Sequence, residues 1–275
     1  MNLYKLIKYD LRCGLSRPRY LLTPLFFIMP CYVCSMIASS TNIACNWFEY
    51  IMYCFMGIEP IEIMDTMEKA QLPIFWLVSI GGCLFLNLDY LLNDLSHAGQ
   101  QLVIRSSKRE HWYFSKCVWN LCSCGLYFLI AGLAITVFTF IMGGTISSDI
   151  SMDLLYVAFQ GVPEVDILPL NATLMIGIIL PYLTISALSM LQMTLCLIIK
   201  PVFSFLISML LLLLSVYWES SFVLGNGAMA IRSNFLVANG INPWIVLIEC
   251  LIIIVACIFA GCCIFKYSDI LGVKE

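Results

Sequence analysis

The stretch Arg105–Met142, RSSKREHWYFSKCVWNLCSCGLYFLIAGLAITVFTFIM, sets the architecture. Its first part holds Arg105, Lys108, Arg109 and Lys116, and from Cys117 to Met142 it holds no charged residue. A helix needs about 20 apolar residues to cross a ~30 Å hydrocarbon core, so Cys117–Met142 reads as a membrane span. Ser107-Lys-Arg-Glu110 matches a capping box, which starts the helix near Lys108. Such a helix is ~52 Å long at ~1.5 Å per residue. Its first two turns therefore protrude, with Trp112 and Tyr113 expected at the headgroup level.

The rest of the chain follows the same logic. It is 61% hydrophobic and 11% charged, with a mean hydropathy of +0.95. Soluble domains carry about 25% charged residues, so water is the wrong solvent for most of this surface. The sequence predicts an all-α polytopic membrane protein. It has six transmembrane helices, near 20–39, 72–92, 117–142, 171–199, 201–218 and 244–265, in a domain covering 20–275. Asn171–Trp218 is too long for one crossing and is divided at Lys200–Pro201.

Charge sets the orientation. Of the 14 lysines and arginines, only Lys69 and Arg232 fall in the odd-numbered connections between these spans. The others lie before the first span, in the even connections or after the last span. The positive-inside rule then puts both termini in the cytoplasm. The opposite connections are acidic, with Glu49, Glu59, Glu62, Asp65 and Glu68, then Asp149, Asp153, Glu164 and Asp166, then Glu219. Topology accounts for the basic cluster, and a nucleic-acid partner is not expected. The segment before Tyr20 is too long and charged for a typical signal-peptide n-region, so the first span is expected to be retained.

Residues 1–19 form an element of their own. Leu3, Leu6, Ile7, Leu11 and Leu15 recur at helical spacing, with Lys5, Lys8 and Arg12 opposite. This predicts an amphipathic helix lying in the lipid bilayer's inner interface and stopped by Pro18. Asp94–Ile104 reads as a short helix ahead of the capping box, so residues 93–116 form a helical bracket held by two spans and able to pass force to the membrane. Residues 219–243 are too apolar for an ordinary loop and too broken by Gly and Asn to span. Two readings stay open: half-helices dipping into the outer leaflet, or a folded outer cap.

Motifs for catalysis are missing. The sequence has no G-x-x-x-x-G-K-[ST], H-E-x-x-H or G-x-S-x-G, so no catalytic residue is assigned and the chain is not expected to be an enzyme by itself. Fourteen cysteines lie mostly inside spans, where Cys31/Cys34, Cys122/Cys124 and Cys262/Cys263 read as small packing residues. Cys45 and Cys54 share one outer connection, where a disulfide is conceivable. With two histidines and no clustered ligands, no metal site is expected. Both His97 and His111 read as cytosolic contact residues. Glu249 is the acid clearly inside a span, as a buried functional group or a shallow one reaching the outer interface. Asp89, with Asn87, closes the second span and is expected to orient the bracket. Tyr182, Ser186, Ser189 and Gln192 share one face of the fourth span, as interhelical hydrogen-bonding groups or as a pathway or subunit interface. Ser204, Ser208 and Ser215 line one face of the fifth span, where small residues allow close packing.

The N-terminal amphipathic helix, the run Asp94…Gly99…Leu102-Val-Ile-Arg105-Ser-Ser-Lys-Arg109…Lys116, the broken connection before the last span and the closing Phe265-Lys-Tyr-Ser-Asp-Ile270 together resemble one family. They are similar to the six-span permease subunits of ATP-binding-cassette exporters of the second type (ABC-2). The resemblance implies that the segment after the second span is a coupling helix docking on a separate cytosolic ATPase. Leu95, His97, Gln100, Gln101, Ile104, Arg105, Lys108 and Arg109 would form that docking surface. It also implies a second permease subunit, a bacterial cytoplasmic membrane and alternating access, with the outer hairpin as a gate. No cofactor is bound by this chain, ATP and Mg belonging to the ATPase. The expected substrate is a hydrophobic or amphipathic peptide (a bacteriocin) or drug, with lipid or polysaccharide next. Two other classes stay open: a self-sufficient secondary transporter or channel, and a non-transporting membrane scaffold.

Overall fold

A computed structural model describes residues 2–40, 45–58, 72–95, 109–147, 169–237 and 239–267. The chain is a multi-pass α-helical membrane protein. Helix α1 is Leu3–Leu15, and a 3₁₀ turn at Pro18–Leu22 leads into α2, Thr23–Ser40. Then come α3 (Trp47–Phe55), α4 (Ile74–Asn87), α5 (Tyr90–Asp94) and α6 (Arg109–Ile141). Three more follow: α7 (Leu170–Leu195), α8 (Pro201–Tyr217) and α9 (Pro243–Tyr267).

Five segments are long and apolar enough to cross a bilayer: Pro18–Ser39, Ile74–Asp94, Glu110–Ile141, Leu170–Leu195 and Pro243–Tyr267. Helix α8, also apolar, has 17 residues, at the lower bound of spanning length. Lys200 is extended and Pro201 opens α8, so the proline breaks the helix where the sequence divides it.

Helix α6 is the spine of the bundle. At one end α1 lies across it, and α2, α4, α7 and α9 pack along its length. Two glycines allow the closest approaches. A Cβ on Gly14 would run into the Trp119 indole, and one on Gly261 would run into the Tyr113 ring. Helix α7 carries a π-helical segment at Met175–Ile179, just ahead of Pro181. Proline cannot donate its amide and its ring crowds the preceding turn, and a wider turn relieves that crowding. Gly177 within it lets Phe48 of α3 seat against the backbone, with ring atoms 2.6 Å from where a Cβ would stand.

Several expectations change. Trp112 and Tyr113 do not sit among headgroups. Both are fully buried, Trp112 stacked on Phe265 at 4.7 Å and Tyr113 hydrogen-bonded to Thr194 at 2.9 Å. The long first turns of α6 run beside α7 and α9, so protein rather than lipid covers these rings. Residues 47–55, read as part of an acidic outer connection, form the buried helix α3 instead. Asn46 caps it, and Glu49 returns a carboxylate oxygen to the Asn46 amide at 2.8 Å. Seven residues beyond the end of α8, the connection 224–232 folds into two 3₁₀ turns, Leu224–Ala228 and Ala230–Arg232. The first of these packs on α7, α8 and α9 and covers that end of the bundle as a folded cap.

Candidate functional site: a buried ion triad

Three elements meet where α1 crosses α6. Leu6, Asp10 and Gly14 recur every four residues and form the buried stripe of α1. Lys116 stands on the facing side of α6, and Asp94 ends α5. Asp10 is 1% exposed and Lys116 is 0% exposed. The Lys116 Nζ lies 2.5 Å from Asp10 Oδ1 and 2.6 Å from Asp94 Oδ2. Ser115 donates to the second oxygen of Asp10 at 2.5 Å, and the Tyr90 hydroxyl donates to its first at 3.1 Å. The ammonium also sits over the rings of Tyr90 and Trp112, 4.7 and 4.9 Å from their centroids. Trp119 stacks on Tyr90 at 3.7 Å and closes the site against Gly14.

Two carboxylates and one ammonium out of water need one another, because each isolated charge there would cost several kcal/mol. The triad therefore ties α1, the end of α5 and α6 into one unit. A weaker pair reinforces it from the surface, where Arg19 reaches Asp89 at 3.2 Å. Such an exposed pair contributes about 0–1 kcal/mol. Asp89 thus holds the 3₁₀ turn that follows α1.

Polar groups continue along the same face of α6. Lys116, Asn120, Ser123 and Tyr127 follow at helical spacing, all buried. Ser123 donates to Asn87 Oδ1 and meets the Tyr20 hydroxyl at 2.6 Å. Asn87 donates to Ser189 Oγ at 3.2 Å, and Asn120 donates to the Ser189 carbonyl at 3.3 Å. Gln192 donates to the Leu84 carbonyl at 3.0 Å. These bonds link the 3₁₀ turn ahead of α2 with α4, α6 and α7 through the middle of the bundle.

A family model described as a protein of unknown function (DUF2705) matches residues 25–271. The chain belongs to the DUF2705 family. Asp94, Lys116, Asn87, Asn120, Ser123, Ser189 and Gln192 lie within the matched region of this DUF2705 protein, and Asp10 and Tyr20 lie before it. Searches of curated proteins and of solved structures match nothing.

The candidate residues read from sequence fall in different places. Ser186, Ser189 and Gln192 are buried in the polar core, with Ser186 beside Cys124 and Tyr182. Tyr182 is half-buried and donates to the Leu121 carbonyl at 3.3 Å. Glu249 is half-buried and reaches Ser221, just ahead of the cap. Leu95 is buried in the apolar cluster that holds Leu91, Trp112 and Cys117, so it packs inward. Arg109 opens α6. His97, Gln100, Gln101, Ile104, Arg105 and Lys108 lie outside the described residues. Among the described residues, no group of three or more His, Cys, Asp or Glu is placed to hold a metal ion.

Asp10 and Lys116 were not singled out from the sequence. Lys116 counted as one more basic residue of the cytosolic cluster, and in the structure it is an internal charge. One signal was present: Asp10 stands on the Leu6–Gly14 face, four residues from each, where an unpaired acid would not be tolerated.

The opposite end of the DUF2705 bundle has its own charged clasp. Arg232, 2% exposed, donates from Nε to the Ile58 carbonyl at 2.9 Å and from Nη2 to the Val216 carbonyl at 2.8 Å. Its Nη1 serves the Ser215 carbonyl and Asn226 Oδ1. Burial pulls the Arg232 pKa down to about 10, and the charge of Glu219 opposes that shift. The guanidinium thus joins the end of α8, the cap and the chain beyond α3. Ile231 adds a backbone bond to the Met56 carbonyl at 3.2 Å, and the Trp76 indole donates to the Ala228 carbonyl at 3.0 Å. A narrow cleft lies between the cap and α7, lined by Ile176, Leu180 and Met229 among others.

Proposed function

We propose that this chain is the transmembrane permease subunit of an ATP-driven exporter. It would span a bacterial cytoplasmic membrane six times, with α8 as the fifth span and both termini in the cytoplasm. A separate ATPase would supply ATP and Mg chemistry, and a second permease subunit would complete the route. The substrate class is a hydrophobic or amphipathic peptide or drug, ahead of lipid and polysaccharide.

The observation that supports this best is Lys116 held between Asp10 and Asp94. Asp94 directly precedes the expected docking surface, which runs from Leu95 to Arg109. A push on that segment meets a rigid anchor rather than a loose loop. The anchor passes it to α6, the spine, and to α1. At the far end, α3 and the Arg232 cap close the bundle, which suits a gate that opens outward.

The test is co-purification in mild detergent, with ATP hydrolysis assayed on the recovered complex. The tagged chain is expected to bring down a nucleotide-binding subunit, and Arg105→Glu with Lys108→Glu should release it while the permease stays folded. Recovery of an intact chain with no nucleotide-binding partner would sink the reading. One observation favours a second reading, a self-sufficient ion-coupled transporter. The buried triad leads directly into the Asn120–Ser123–Asn87 polar core, and buried ionisable groups mark ion pathways in many transporters. Substrate uptake into vesicles driven by a proton gradient, without any ATPase, would establish it.

A further inference from the structure

Helix α3 is a wedge, apolar on nearly every side and buried from Phe48 to Phe55 save for the half-buried Tyr53. It sits between α2, α4, α6 and the π segment of α7. Its entry is held firmly. Trp47 donates its amide to the Thr145 carbonyl at 3.0 Å, the Asn46–Glu49 capping box fixes the first turn, and Gly144 packs closely on the Cys45 carbonyl. Cys45 is therefore presented in a defined position. Directly opposite stands Cys34 of α2, and the two sulfurs are 3.9 Å apart. Both thiols are free.

We propose that Cys34 and Cys45 form a dithiol–disulfide site that a small disulfide oxidises, stapling the wedge helix α3 to α2. A disulfide has its sulfurs ~2.05 Å apart, so closure requires them to approach by about 1.9 Å. Cys45 lies outside any helix, so rotation of its side chain can make up that distance while the backbone stays in place. A hydrogen bond from the Cys34 thiol lowers the pKa of Cys45, which favours Cys45 as the attacking thiolate. With oxidised glutathione as the oxidant, the Cys45 thiolate attacks one sulfur and expels one glutathione thiolate. Cys34 loses its proton and attacks the Cys45 sulfur of the mixed disulfide, expelling the second glutathione. The two thiols give up two electrons and two protons, and the glutathione disulfide is reduced to two thiols.

A Cys45–Cys54 disulfide, left open by the sequence, is not the pairing the structure sets up. In the structure Cys54 faces Cys31 of α2, at the other end of the wedge. Another pair, Cys83 and Cys124, also stands at 3.9 Å. Those two sulfurs lie on adjacent helices within the polar core, with Asn87 donating to both, and neither can shift without disturbing that network. The inference about Cys34 and Cys45 holds whether or not the chain transports anything.

The experiment treats the purified full-length protein in detergent with oxidised glutathione and maps cysteine pairing by mass spectrometry after blocking free thiols. The expected result is a mass loss of about 2 Da, two hydrogens, carried by a cross-linked Cys34–Cys45 peptide. In Cys34→Ser, the second step is impossible and glutathione should stay on Cys45. The proposal is overturned if Cys34 and Cys45 both remain free, if the wild type stops at glutathione adducts, or if Cys83–Cys124, Cys31–Cys54 or Cys45–Cys54 forms in place of Cys34–Cys45. A Cys45 thiol left unmodified in Cys34→Ser overturns it too.

Discussion

Lys116 is the residue on which the α1 end depends. It is a fully buried ammonium with two carboxylates and two aromatic faces around it. Removing one member of a buried ion group is worse than removing all of it, since the partners keep their desolvation cost without their attraction. Lys116→Met should therefore destabilise the protein by about 3–5 kcal/mol. Adding Asp10→Asn and Asp94→Asn to it should recover most of that loss. Thermal unfolding in detergent, followed by size-exclusion fluorescence, checks both. A single variant as stable as the wild type would mean that the triad is solvated and holds little. The sequence showed the charge but not its setting. From composition alone a lysine next to a span is a topology signal, and its pairing with a residue 106 positions away is invisible without the fold.

At the scale of elements, α1 was read as an amphipathic interfacial helix, and the structure adds that it docks on α6. The helix runs from Leu3 to Leu15 with Lys5, Lys8 and Arg12 exposed, but of the apolar stripe only Leu6 is buried; Leu3, Ile7, Leu11 and Leu15 are half-buried, and Asp10 and Gly14 complete the buried face. Its fate was decided by Gly14, where the absence of a side chain lets the Trp119 indole lie against the backbone. Gly14→Leu should push α1 off α6, at a cost of about 1–3 kcal/mol for overpacking. Limited trypsin digestion should then cut after Arg12 and Arg19 several times faster than in the wild type. Gly125→Leu is the control, since Gly125 has open space around it. Equal digestion of the two variants would remove α1 from the packed bundle. Helix α3 escaped notice for a different reason. Nine residues are too few to cross a bilayer, and the glutamate inside it looked like an outer-loop acid until the capping box claimed it.

At the scale of the whole molecule, the two ends are built differently. The α1 end is tied by ion pairs among α1, α5 and α6, and the cap end by one guanidinium serving backbone carbonyls. The proposed orientation puts the first inside and the second outside. On a background with the exposed Cys13 and Cys122 changed to Ser, Glu219→Cys should react with an impermeant maleimide on intact cells. Ser16→Cys should react only after the membrane is opened. The reverse pattern would invert the topology and with it the exporter reading.

What the sequence determined by itself is the class, the places of the long apolar helices and the break at Pro201. These follow from local composition, because a backbone in hydrocarbon must satisfy its own hydrogen bonds and a charge there is costly wherever the chain goes next. What only the tertiary structure decided is which charges are internal, that residues 47–55 wedge into the bundle, that 224–232 folds as a cap, and which thiols face each other. Those depend on contacts between residues far apart in the chain, such as Asp10 with Lys116, Arg232 with Ile58 and Gly177 with Phe48. A pattern along one helix gives the direction of a side chain, and the helix packed against it gives the partner.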